Sequence, residues 1–374
     1  MAKTARITSI ELFRFIAAIP IMLYHFFTVY IHGDGLVPFA FVFVEFFFML
    51  SGFFMMKHLS ERSETMSPPS YVFHKAASFY PIYIIAFAVQ FVLFVLMNHL
   101  KSAAEVLGSL FHFKWEALLL QTAGFIQDPQ FNSDYLLGQA WYLSAMLIAV
   151  MIAYPLAKYG KKLYLMFICP VAIIAIYSYI IQSLGTLNVG NEYFGILTSA
   201  ILRGFAGTCV GSLCYVGYAF LKEHPLKQKK LAAFVEALCY LSLIGLFFLK
   251  DKFVSEQDGL FYVFVFFLLV IFSFTNRTPI TVFLNTHGTK FQVYLGSLSL
   301  YLYLLHWSVI SALQLWGADL SEAAALTVFL GITFAGSVLL KWFNDKRKSI
   351  VPVVVIVCVL LLVSVILPYG RLLG

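Results

Sequence analysis

Long apolar runs separated by short polar stretches dominate the chain. Eleven are long enough, or nearly so, to cross a membrane: 7–31, 37–56, 79–97, 141–156, 163–184, 196–220, 231–249, 260–274, 294–312, 323–340 and 350–367. A helical span takes about 20 mostly apolar residues, and backbone groups in lipid must find their hydrogen bonds within the chain. The pattern therefore predicts an all-α, polytopic transmembrane bundle of about eleven spans, with residues 1–374 forming a single domain. Segment 105–126 breaks the rhythm. It mixes Leu and Phe with Glu105, His112, Lys114 and Glu116, and reads as an interfacial or re-entrant helix. The first run carries Glu11, Arg14 and His25 and has no small-residue cleavage site, so it is expected to be a span and not a removable signal.

Charge fixes the expected orientation. With the N-terminus inside and the spans alternating, eighteen of the 25 Lys and Arg fall in inside loops and five outside, while Arg14 and Arg203 lie within spans. Inside loops of membrane proteins carry such an excess of basic residues. The C-terminus is then extracytoplasmic. This placement of the basic residues makes the net charge of +7 a topology signal, not a nucleic-acid signal. With 61% hydrophobic and 11% charged residues, the chain lacks the charge to cover a soluble surface. The five cysteines sit in apolar runs without metal-ligand spacing, so they are expected to be packed helix residues and no metal is expected.

Ionisable residues inside spans are costly unless paired or wet, so each is a functional candidate. They are Glu11, Arg14, His25, Glu45, Arg203, Glu236 and His306. Arg14 and His25 lie three helical turns apart on one face, about 16 Å along the axis. Counted at 1.5 Å per residue, His25, Glu45, Arg203 and His306 all lie about 9–12 Å from the outer surface, on four different helices. Glu236, one turn into its span, reads as a side chain at headgroup level. A His near a carboxylate is the usual equipment for activating a hydroxyl. Here Glu45 would orient His25. Arg203 would stabilise an oxyanion or pair with Glu45.

Five short motifs, in order, resemble the membrane-bound acyltransferase-3 family, whose members O-acetylate surface sugars. The first span has Arg-x10-His as Arg14 and His25. The second reads Val44-Glu45-Phe46-Phe47-Phe48-Met49-Leu50-Ser51-Gly52-Phe53. The third opens with Pro81 and Tyr83, and the fourth with Trp141-Tyr142-Leu143-Ser144. The ninth carries Gly296, Ser299, Tyr303, His306 and Trp307. Three features depart from the family pattern. Lys75 and Ser78 stand where two Arg often do, Met146 replaces a Glu, and Leu300 replaces a Tyr. An additional extracytoplasmic domain found in longer relatives is not expected.

The resemblance implies an O-acyltransferase of the bacterial cell membrane that takes acetyl from acetyl-CoA as a co-substrate, with no tightly bound cofactor. Arg14 and Lys75 would hold the donor phosphates, with Arg62 a weaker candidate. The pantetheine arm would lie along the first span and bring the thioester to His25. His25 would act as a base with Glu45, or form an acyl-histidine. Ser51 and Tyr303 would donate hydrogen bonds, unless Ser51-Gly52 is a small-residue helix contact; Trp141 would stack on a sugar ring or sit in an interfacial aromatic belt; and His306 with Trp307 would line the acceptor side or brace the ninth span. The expected partners are acyl-CoA, a glycan or lipid-linked sugar acceptor and membrane lipids. A proton-coupled transporter or flippase is the alternative, because buried Arg, Glu and His also suit a carrier.

Overall fold

A computed structural model describes residues 6–33, 37–62, 64–124, 135–190, 192–248 and 258–346. The described chain is a helical bundle with one short hairpin. In order the elements are α1 (Thr8–His25), α2 (Val42–Glu61), α3 (Pro68–Ala77), α4 (Tyr80–Met97), α5 (Ala103–His112), α6 (Lys114–Ala117), α7 (Trp141–Tyr159), α8 (Lys161–Leu163), α9 (Cys169–Leu184), the strands β1 (Tyr193–Phe194) and β2 (Leu197–Thr198), α10 (Ser199–Glu223), α11 (Lys229–Phe248), α12 (Gly259–Thr275), α13 (Pro279–Thr286), α14 (Thr289–Trp316) and α15 (Glu322–Lys346). A π-helical turn at Phe26–Tyr30 extends α1, and another at Tyr164–Ile168 joins α8 to α9.

Among the described residues nine helices are long and apolar enough to span a membrane, or ten if the bent pair α12 and α13 counts as one. Ten of the eleven predicted runs fall on these helices. The run at 350–367 lies outside the described residues. The 260–274 run looks short because the chain bends by 57° after α12. Asn276 closes that helix in the left-handed region at φ 52°, and Pro279 starts the next one, a C-cap followed by proline that ends one helix and seeds another.

Small residues set the tightest helix contact. α10 packs along α2, and also touches α7, α9 and α12. A Cβ built on Gly211 would lie 1.9 Å from the Met49 carbonyl oxygen, and one on Gly52 would lie 2.0 Å from the Thr208 carbonyl oxygen. Any side chain at either position would force the helices apart. In lipid, where apolar burial does not drive association, this close backbone approach is what holds two helices together. α1 meets α14 in the same way. A Cβ on Gly296 would lie 2.4 Å from the Glu11 carboxylate. The glycine of the ninth-span motif is thus a packing requirement, and it aligns His25 of α1 with His306 of α14.

Glu236 is fully buried. Its carboxylate accepts from Thr278 Oγ1 at 2.7 Å, Ile280 N at 2.9 Å, Thr281 N at 2.9 Å and Thr281 Oγ1 at 2.6 Å. Free N–H groups at the start of α13, exposed by the bend, provide the partners. The four described cysteines are free and buried, as packed helix residues; Cys358 lies outside the described residues.

Several contacts gather the basic loops at one end of the bundle. Lys158 Nζ donates to the Met66 carbonyl at 2.7 Å, Lys161 Nζ to Ser60 Oγ at 2.9 Å, and Arg277 to the Leu221 and Lys222 carbonyls at 2.5 and 3.1 Å. Segment 105–126 is not a continuous helix. It forms α5, capped by Ser102 and Glu105, then the single turn α6 and a run of turns through Gly124.

Candidate active site

α1 and α14 bring two imidazoles together. His25 Nδ1 lies 3.0 Å from His306 Nε2, and the rings are nearly parallel, with centroids 5.2 Å apart and only 9° between their planes. His306 Nδ1 is 3.1 Å from the Leu302 carbonyl oxygen. A carbonyl only accepts, so that nitrogen carries the proton, and the Nε2 of neutral His306 is an acceptor. His25 must then donate from Nδ1, which leaves its own Nε2 with a free lone pair. Trp307 meets the His25 ring edge-on at 5.3 Å. The imidazole is therefore fixed in orientation and in tautomer by another histidine.

Glu45 is not the partner of His25. It is wholly buried, accepts from Arg203 Nε at 2.8 Å through Oε1 and from Tyr177 at 2.6 Å through Oε2. The reason is competition. A guanidinium and a phenol both reach the carboxylate, and a buried charge is held where an opposite charge meets it. Arg203 is equally committed. Its Nη1 donates to Val189 O at 2.5 Å and its Nη2 to Phe41 O at 3.5 Å, and its guanidinium lies 5.2 Å from the Trp141 ring centre. Of the two roles open to Arg203 from sequence, pairing with Glu45 is the one the geometry realises.

Two cavities flank this arrangement. The one on the His25 side, outer in the orientation expected from the loop charges, is about 110 Å³ and is lined by His25, Tyr24, Gln139, Trp141, Asn188 and Arg203 among others. The larger one, about 360 Å³, is lined by Arg14, Lys75, Ser51, Met146, Leu300 and several Phe and Leu. Ile21, Val44, Tyr142 and Tyr303 line both, so they form the wall between them. His25 stands on the outer side of that wall and Arg14 on the inner side, as their three-turn separation on α1 dictates.

His25, Trp141, Arg203, Tyr303, Arg14, Lys75 and Ser51 line these cavities, but not always with the expected contact, whereas Glu45, His306 and Arg62 line neither. Ser51 gives its proton to the Phe47 carbonyl at 3.1 Å, the common bond of a helical serine back to the preceding turn. Tyr303 gives its own to the Gln139 carbonyl. Trp141 holds Arg203 and packs so close to Gly190 that a Cβ there would lie 3.4 Å from its ring. His306 is buried behind His25 and does not line the cavity. Arg14 pairs with Glu11 at 3.2 Å but remains about one-third exposed at the larger cavity. Lys75 joins it there from α3, outside the spans. Burial, and then the nearby Arg14 charge, lower its ammonium to about 8.

Three polar residues of the outer cavity were missed from sequence: Tyr24, Gln139 and Asn188. Asn188 Nδ2 donates to Tyr24 Oη at 2.9 Å. Uncharged and carrying no motif, they have only their neighbours to mark them, Tyr24 beside His25 and Gln139 two residues before Trp141.

A family model described as an acyltransferase domain matches residues 7–369. The chain belongs to the membrane-bound acyltransferase-3 family. It is thus a multi-pass membrane acyltransferase, and the cavities can be read as those of an acyltransferase. No curated protein and no solved structure matches it. Within the family pattern, the departures gather in one place. Lys75, Ser78, Met146 and Leu300 all line the larger cavity, whereas His25 and His306 match the motif residues. Among the described residues no group of three or more His, Cys, Asp or Glu could hold a metal ion.

Proposed function

We propose that this acyltransferase moves an acetyl or other small acyl group from cytoplasmic acyl-CoA to a hydroxyl of an extracytoplasmic or lipid-linked glycan, with His25 as general base. The supporting observation is the free Nε2 lone pair of His25 beside a wall shared by two unlike cavities. One cavity offers two cations and an apolar lining, which suits phosphates and a pantetheine arm. The other offers amides, a phenol and an indole, which suits a sugar. The charge bias of the loops supports a cytoplasmic Arg14 side.

In this reaction Nε2 of His25 takes the proton of the acceptor hydroxyl as its oxygen attacks the thioester carbonyl. The tetrahedral centre collapses with cleavage of the C–S bond, and the departing thiolate recovers the proton from the imidazolium. His306 keeps the base in the right tautomer throughout, and its neutral Nε2 accepts the Nδ1 proton of the charged imidazolium. The test is mass spectrometry of surface glycans from cells with and without the gene. Acyl esters that vanish with the gene and return with the wild-type copy are expected. An identical ester inventory in both would remove a glycan acceptor from the reading.

Lys75 makes the donor site testable by pH. An ammonium near pKa 8 is charged below that pH and loses its charge as pH rises through it. Phosphate binding should therefore weaken above about pH 8, read as a rising apparent KM for acetyl-CoA. Lys75→Arg should flatten that rise, because guanidinium stays charged. Lys75→Ala should raise the KM about tenfold at neutral pH, the loss of one charge-assisted hydrogen bond. An unchanged KM in Lys75→Ala would remove Lys75 from the donor site.

A further inference from the structure

The turn α6 and the residues just after it grip the entrance to α7, and a single buried carboxylate makes the grip. Glu116, on α6, is 1% exposed. Its Oε2 accepts from Leu136 N at 2.7 Å and its Oε1 from Leu137 N at 2.6 Å. The next three residues, Gly138–Ala140, form the 3-10 turn that leads into α7. Gln139 of that turn and Trp141 just after it line the outer cavity beside His25.

Further contacts reinforce the grip. Gln121 Nε2 donates to Ala140 O at 3.0 Å. Thr122 N donates to Ser144 Oγ at 3.3 Å, and the two hydroxyls lie 2.7 Å apart. From α4, Tyr83 donates to the Glu116 carbonyl at 2.6 Å, which ties α6 to the bundle. From α14, Tyr303 donates to the Gln139 carbonyl, and Gln139 Nε2 returns to the Tyr303 and Leu304 carbonyls at 3.3 and 3.2 Å. The turn is thus clamped from one side by Glu116 and from the other by the helix that bears His306.

We propose that Glu116 is a positioning residue for acyl transfer: by holding the Leu136 and Leu137 amides it fixes the Gln139–Trp141 wall of the cavity in which His25 meets the acceptor. Glu116 touches neither His25 nor the cavity, so its effect passes through the backbone of the turn. Both oxygens act as acceptors, and that requirement selects a carboxylate. A glutamine of the same shape keeps one acceptor and turns an NH2 towards the second backbone N–H, so one amide is lost and donor faces donor. The grip is on the acceptor side only. Among the residues that line the larger cavity none belongs to the 114–124 segment or the turn.

The test compares full-length wild type with Glu116→Gln, purified and folded, by two readouts. The first is amide hydrogen exchange of the peptide containing residues 135–141. The variant should exchange there about tenfold faster or more, with the other spans unchanged, because local opening exposes amides that were held. The second is transfer from labelled acetyl-CoA to the endogenous acceptor in membrane vesicles, per folded protein. It should fall several-fold with the apparent KM for acetyl-CoA unchanged. Exchange equal to wild type would overturn the proposal. So would faster exchange throughout the chain, which marks a merely structural residue, or local opening with transfer intact. The proposal rests on the acceptor assignment only for its second readout. Absence of transfer by wild type would remove that assignment, while the exchange result would still judge the grip.

Discussion

Replacing His25 with alanine should lower acyl transfer by about 10²–10⁴-fold, the usual contribution of a positioned base. Three features lead to that expectation. The Leu302 carbonyl fixes the His306 tautomer, His306 fixes that of His25, and the remaining Nε2 lone pair has no protein partner among the described residues. The His25 site lies on the outer side of the shared wall while Arg14 and Lys75 lie on the inner side, so the apparent KM for acetyl-CoA should change little. His306→Asn should cost less than His25→Ala but still slow the reaction, because the base remains and only its tautomer is released. The measurement is transfer of labelled acetyl to the endogenous acceptor in vesicles containing equal folded protein. Wild-type rates in His25→Ala would remove the imidazole from the chemistry.

The second large effect concerns stability. Glu45→Ala or Arg203→Ala should destabilise the protein by about 3–5 kcal/mol, since each leaves an opposite charge buried without its partner. The two side chains are 0% and 1% exposed and 2.8 Å apart. Loss of Arg203 also frees the Val189 and Phe41 carbonyls and removes the cation from the Trp141 face. The double variant Glu45→Leu/Arg203→Met should recover much of the loss, because a buried ion pair replaced by apolar side chains of similar volume is often near neutral. Thermal unfolding in detergent reads all three. The Glu45→Gln enzyme, compared per folded molecule, should keep the wild-type pH–rate profile, because Glu45 does not touch His25. A shifted profile would return Glu45 to the role of orienting the base.

Much of the bundle was legible in the sequence because lipid imposes so strong a constraint: a helix needs about 20 apolar residues, whatever packs against it. The bend between α12 and α13 was not, since hydropathy falls off at a kink just as it does at a helix end. The partners of Glu236 were hidden for the same reason, since two of them are backbone amides across the bend, which leave no mark on the residue types. Rise per residue, a fixed geometric quantity, grouped His25, His306, Glu45 and Arg203, and His25 and Arg203 do line one cavity. Which of the four pair with which was not legible. That depends on helix rotation, set here by Gly52, Gly211 and Gly296, and it joined His25 to His306 and Glu45 to Arg203. Glu116 was noticed only as one polar residue of an ambiguous segment. The amides it holds lie twenty residues further along, and no local pattern connects them.

The central claim is that one site receives the donor from the side of the basic loops and serves an acceptor from the opposite side. Membrane vesicles of known orientation, prepared from cells that make the protein and so containing its own acceptor, test this most directly. Labelled acetyl-CoA, which does not cross a bilayer, is supplied only to the outer medium. Inverted vesicles, with the Lys75 side outward, should transfer label to an acceptor enclosed in the lumen, and right-side-out vesicles should not. Equal labelling in both orientations, or labelling of right-side-out vesicles alone, would contradict the account.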